Sequence, residues 1–83
     1  MISRMTTGIV GMGRIGKMVK KIMLSMGSKV IFYDPYINGS VKNINELAIK
    51  SNIFVICCVS NKETKNLVNK KVISKLPQNA III

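Results

Sequence analysis

Six residues constrain this chain more than any others: Gly11-Met12-Gly13-Arg14-Ile15-Gly16, a G-x-G-x-x-G turn between two segments of different hydrophobic period. Thr7–Val10, before the turn, is short and apolar and reads as a buried strand. After the turn, Ile15, Met18, Val19, Ile22, Met23 and Met26 recur at helical spacing and make one continuous apolar face. Lys17, Lys20 and Lys21 lie off that face, and Gly27 stands where a helix C-terminal cap belongs. The methionine-rich stripe is expected to be core. Each glycine has its own reason to be there. Gly11 permits the tight exit from the strand through a positive φ, and Gly16 lets the helix lie close against the strands. Gly13 removes the Cβ that would keep a diphosphate at a distance. The free N–H groups of Arg14 and Ile15 then face an anion at the positive end of the helix dipole.

The rest of the chain repeats the alternation. Lys29–Tyr33 is a second short strand, stopped by Asp34-Pro35, where proline holds the preceding residue in extended geometry at the strand tip. Residues 36–43 are turn-rich and contain Asn38-Gly39. Asn45–Lys50 suits a short helix, with Asn43 or Asn45 as its cap. Ile53–Val59 is uninterruptedly apolar, as a central parallel strand covered on both faces should be. Lys62–Lys75 carries Leu67, Val68, Val72 and Ile73 in a broken helical pattern that, with Leu76, ends before Pro77, and Ala80–Ile83 begins another strand. Strands alternating with helices predict an α/β fold: a doubly wound parallel sheet of three layers. Met1–Met5 reads as a poorly ordered lead-in. Because the sequence stops within an expected strand, residues 1–83 are expected to be a partial, truncated domain.

Asp34 lies eighteen positions after Gly16, at the end of the second strand, where an acidic residue accepts hydrogen bonds from the hydroxyls of an adenosine ribose. A carboxylate there repels a 2′-phosphate, so the glycine turn and Asp34 together predict NAD rather than NADP. Nucleic acid is a poorer match to the net charge of +10. The lysines are spread along the chain, Lys, Ile and Asn dominate the composition, and two Phe and two Tyr make no stacking platform. Cys57 and Cys58 are strand neighbours that point to opposite faces, which suits neither a disulfide nor a shared metal ion, and the chain has no histidine. Neither a signal peptide nor an apolar run near the roughly 20 residues of a membrane span is evident. A cytoplasmic, reducing address is expected.

The wording around these residues is more specific than the turn. Gly8-Ile9-Val10-Gly11-Met12-Gly13-Arg14-Ile15-Gly16, then Gly27-Ser28-Lys29-Val30-Ile31-Phe32-Tyr33-Asp34-Pro35, closely resembles the D-isomer-specific 2-hydroxyacid dehydrogenases. The resemblance continues through Asn45-Glu46-Leu47, Ser51-Asn52-Ile53, Glu63-Thr64-Lys65-Asn66-Leu67-Val68-Asn69 and Leu76-Pro77-Gln78-Asn79-Ala80, covering about Thr6 to Ile83. It implies a Rossmann-like NAD-binding domain of a parent enzyme that moves a hydride between NAD(H) and a small 2-oxo or D-2-hydroxy acid, with the parent a homodimer. Arg14 and Ile15 match the residues that meet the pyrophosphate, and Asp34 the ribose-binding acid. Cys58 and Val59 match the end of a strand lining the adenine side, and Thr64 a loop position that approaches the cofactor. Members commonly carry histidine where Cys57 stands and proline where Val59 stands. The family's substrate-orienting arginine, its acid/base histidine and the acidic partner of that histidine match no residue here, so this chain alone is expected to be inactive. Adenosylhomocysteine hydrolases, which share the glycine turn, are a minor alternative. A stand-alone nucleotide-binding module without catalysis is the rival reading, and a basic nucleic-acid-binding domain a weaker one.

Overall fold

Parallel pairing on both sides of one strand organises the chain, which a computed structural model describes at residues 4–37, 39, 41–57 and 67–83. The elements are β1 (Thr6–Val10), α1 (Arg14–Ser25), β2 (Lys29–Tyr33), α2 (Ile44–Lys50), β3 (Ile53–Ile56), α3 (Lys70–Ile73) and β4 (Ile81–Ile82). All pair in parallel in the order β2-β1-β3-β4. The predicted alternation and the doubly wound sheet are therefore what the chain forms. From β1 the chain steps outward to β2, then returns past β1 to β3. Crossovers that run in opposite directions along the sheet place α1 on one face and α2 on the other, each over its own apolar cluster. The C-terminal ends of β1, β2 and β3 share one edge, and the winding reverses at β1.

Period-two alternation splits the apolar residues between the two faces. On the α2 face, Val10, Ile31, Val41, Leu47, Ala48, Phe54 and Val72 form one buried cluster, with Leu67, Val68 and Leu76 packed against it. On the α1 face, Ile9, Met12, Ile53 and Val55 form a second, covered in part by Met5, Val19 and Met23. The carbonyl of Met5 also accepts hydrogen bonds from the Lys29 N–H (3.1 Å) and the Ser28 hydroxyl (3.0 Å). α2 lies close to β1: a Cβ at Gly8 would run into the Ser51 hydroxyl and stand 3.2 Å from Leu47 Cγ. Leu47 is 0% exposed. Leu47→Ala should cost about 2–5 kcal/mol through lost burial and a residual cavity. A urea titration checks this, with an unshifted midpoint the contrary result.

Local capping sets the helix ends. The α1 helix finishes in a Schellman motif: Ser28 N–H donates to Met23 O (3.1 Å) and Gly27 N–H to Leu24 O (3.0 Å), with Gly27 at φ 87°. For α2 the cap is Asn43, whose Oδ1 accepts from Glu46 N–H at 2.8 Å, and Glu46 Oε2 in turn accepts from Lys42 N–H at 3.2 Å. The Lys50 ammonium, at 3.1 Å, and that Lys42 N–H hold the Glu46 carboxyl below its ordinary pKa. Asn69 caps α3 in the same way, accepting from Val72 N–H at 3.0 Å.

Three expectations change. The α1 stripe is not core throughout: Val19 and Met23 pack on the sheet, but Ile15 is 64% exposed, Met18 58% and Ile22 50%. A single helix on a sheet face touches it along a strip narrower than this stripe, and among the described residues nothing else lies over its outer flank. The helix expected within Lys62–Lys75 is present at Lys70–Ile73, residues 58–66 lying outside the described residues. Within Ile53–Val59 the strand spans Ile53–Ile56, and the Asn38 half of the Asn38-Gly39 turn also lies outside the described residues.

Candidate functional site

Strand register brings the glycine turn and Asp34 together. Val10 pairs with Tyr33 on one side and Ile56 on the other, so Gly11 leaves β1 level with the ends of β2 and β3. Gly11 adopts φ 91°, the left-handed region that favours glycine, and its N–H donates to Tyr33 O at 2.8 Å. On the opposite side, Cys57 N–H donates to Val10 O at 2.8 Å. A Cβ at Gly16 would collide with the Gly11 carbonyl oxygen and lie 3.2 Å from its carbon, so α1 can meet the turn only with glycine there. Gly13 is different: a Cβ there would meet nothing within 4 Å. Its backbone is extended, with a φ of −82° that does not demand glycine. The protein itself does not require a glycine at this position; a ligand pressed against the backbone would.

The N-terminus of α1 is open to such a ligand. Gly13 is the N-cap and offers no side-chain acceptor, and no acidic residue lies in the first turn. The N–H groups of Arg14, Ile15 and Gly16 precede the first intrahelical donor, Lys17, which bonds to Gly13 O at 3.0 Å. They are the groups an anion would satisfy. Arg14 and Ile15 are both exposed there, while Gly16 is buried beneath them.

Asp34 stands half-buried beside the turn, and both its oxygens are engaged. Oδ2 accepts from Met12 N–H at 2.7 Å, and Oδ1 accepts from Tyr36 N–H at 2.8 Å, closing an Asx turn over Pro35. Each oxygen keeps a second lone pair, so the carboxylate retains acceptor capacity for two hydroxyls. A cleft of about 630 Å³ opens beside it, bounded by Pro35, Tyr36, Ile37, Lys42 and Glu46. The structure thus brings together Gly11, Gly13, Arg14, Ile15, Gly16 and Asp34 at one edge of the sheet. Cys58, Val59 and Thr64 lie outside the described residues. Cys57, just past the end of β3, is half-buried and packs against the α1-side cluster.

Sequence reasoning missed Met12 and Tyr36. Both contribute backbone N–H groups, which side-chain identity does not display. The available signal was Asp before Pro, a known turn former, and it pointed only to Tyr36. Among the described residues there is no group of acidic, Cys or His side chains able to hold a metal ion, and no helix long and apolar enough to cross a membrane.

A family profile described as "D-isomer specific 2-hydroxyacid dehydrogenase, NAD binding domain" matches residues 1–83. The hydroxypyruvate reductase of Blautia hydrogenotrophica is 37% identical over 83 residues, covering 92% of this chain and 26% of that protein. The erythronate-4-phosphate dehydrogenase of Wigglesworthia glossinidia brevipalpis is 37% identical over 86 residues, covering 94% and 23%. Among solved structures, the NAD+-bound 3-phosphoglycerate dehydrogenase of Entamoeba histolytica superposes with a TM-score of 0.87 at 38% identity, over 94% of this chain and 26% of the other. The NAD-complexed D-isomer specific 2-hydroxyacid dehydrogenase of Lactobacillus delbrueckii ssp. bulgaricus gives a TM-score of 0.88 at 25% identity, over 99% and 27%. The chain thus spans about a quarter of the length of the proteins it resembles.

Proposed function

The chain belongs to the D-isomer specific 2-hydroxyacid dehydrogenase family as its NAD-binding domain, and on that premise we propose which of its residues grip the cofactor and what the longer protein does with it. One observation carries the residue assignment: an uncapped helix N-terminus stands beside Gly13, where only a ligand would forbid a side chain. The N–H groups of Arg14 and Ile15 hold the pyrophosphate, and the bare face of Gly13 admits it. Asp34 accepts the ribose hydroxyls through its remaining lone pairs. On the resemblance alone, Cys58 and Val59 are assigned to the adenine side and Thr64 to a loop that approaches the cofactor.

NAD(H) supplies or accepts a hydride when bound, and the proposed reaction of the longer protein is interconversion of a D-2-hydroxy acid and a 2-oxo acid. The acid/base histidine that the resemblance implies has no counterpart in this chain, which contains no histidine, so the proposal places the accompanying proton transfer on groups outside these 83 residues. A cytoplasmic address and a homodimeric parent belong to the same proposal and rest on the likeness to the family.

The test is direct. Titrated with each cofactor, the chain should bind NAD at least about tenfold more tightly than NADP, because the 2′-phosphate would face the Asp34 carboxylate. A preference for NADP would sink the role given to Asp34. The longer protein should oxidise NADH with at least one of glyoxylate, hydroxypyruvate, pyruvate and phosphohydroxypyruvate, and no turnover of any of them would count heavily against the proposed reaction.

A further inference from the structure

Asp34 is tied to the glycine turn by its own carboxylate. Its Oδ2 accepts from Met12 N–H at 2.7 Å, a bond between residues 22 apart in sequence. The Met12 side chain is buried in the α1-side cluster, so backbone and side chain are both anchored. With Gly11 N–H on Tyr33 O, two successive turn amides point toward β2. The amides that follow are then left to the helix N-terminus, on the side where a Cβ at Gly13 would find open space. The second oxygen, held by Tyr36 N–H, stops the carboxylate from rotating away.

We propose that Asp34 is a positioning residue for the phosphate-binding turn as well as a ribose acceptor, and that it raises affinity for a diphosphate even when the ligand has no ribose hydroxyls. This rests on the proposed site and deepens it. Electrostatics alone predicts the opposite sign: removing a carboxylate near a diphosphate removes repulsion and should tighten binding. The direction of the change therefore separates the two roles.

The experiment titrates the 83-residue chain and its Asp34→Ala and Asp34→Glu variants with ADP and with 2′,3′-dideoxy-ADP, alongside amide hydrogen exchange. Glutamate keeps the charge but, one methylene longer, cannot hold Met12 and Tyr36 in the same geometry, so either variant decides the matter if the other fails to fold. The positioning role predicts that dideoxy-ADP binds about tenfold more weakly to the variants than to the unchanged chain, the scale of one charge-assisted hydrogen bond. It also predicts that Met12 amide exchange accelerates while the Gly11 amide, bonded to Tyr33 O, stays protected and reports an intact sheet. Dideoxy-ADP affinity that is unchanged or improved in a folded variant overturns the positioning role and leaves the ribose contact standing. Failure of the unchanged chain to bind ADP at all overturns the site and this proposal together.

Discussion

Gly16→Ala should unfold this chain far more easily, although alanine is the better helix former. Propensity alone would favour alanine over glycine by about 1 kcal/mol inside a helix. The local geometry outweighs that gain. The new Cβ would overlap the Gly11 carbonyl oxygen, come within 3.2 Å of its carbon and lie 3.6 Å from Met12 Sδ. Two of these three neighbours are backbone, and that backbone is fixed by Gly11 N–H on Tyr33 O. Relief therefore means lifting α1 from the sheet, which uncovers Ile9 and Met12, or breaking the turn. Overpacking of this kind costs about 1–3 kcal/mol, and exposure of the α1-side cluster adds to it. Against the roughly 5–15 kcal/mol that holds a typical domain folded, a net loss of about 2 kcal/mol lowers the urea midpoint clearly. A midpoint equal to or above that of the unchanged chain would show that α1 does not rest on Gly11 as described.

Gly13→Ala should do the reverse: leave the fold and remove the ligand. The added Cβ meets nothing within 4 Å, and the negative φ does not demand glycine. Glycine is the better N-cap of the two, and its exchange for alanine costs about 1 kcal/mol. The same methyl would fill the space that the proposed site gives to the pyrophosphate, so NAD affinity should fall at least about tenfold. Paired calorimetric titration and denaturation read both quantities. Loss of stability comparable to that of Gly16→Ala, or undiminished NAD binding, would contradict the assignment of Gly13 to the ligand. The two glycines sit three residues apart in one motif, yet packing within the protein requires only Gly16, and the proposed site reserves Gly13 for the cofactor.

Much of the site was legible because it depends on short-range rules. Gly11, Gly13 and Gly16 have fixed roles once a strand precedes them and a helix follows, and both flanks are recognisable from their hydrophobic period. The Schellman end at Gly27 was legible for the same reason. The α2 cap was narrowed to Asn43 or Asn45, and the structure selects Asn43 because its side chain reaches the N–H three residues on, at Glu46. What was not legible depends on how far elements lie from one another. The outer half of the α1 stripe, at Ile15, Met18 and Ile22, has the same spacing as the inner half, and only the sheet beneath decides which half is covered.

Taken alone, the sequence determined the order of strands and helices, the parallel sheet they build, and a glycine turn suited to a dinucleotide, because turn chemistry and side-chain period act within a few residues. Tertiary structure decided the rest. It placed Met12 N–H on a carboxylate 22 residues away, set Gly16 against the Gly11 carbonyl while leaving Gly13 free, and left part of α1 uncovered. Each of these follows from the register of β1 against β2 and the height of a helix above a sheet, distances that no local pattern encodes.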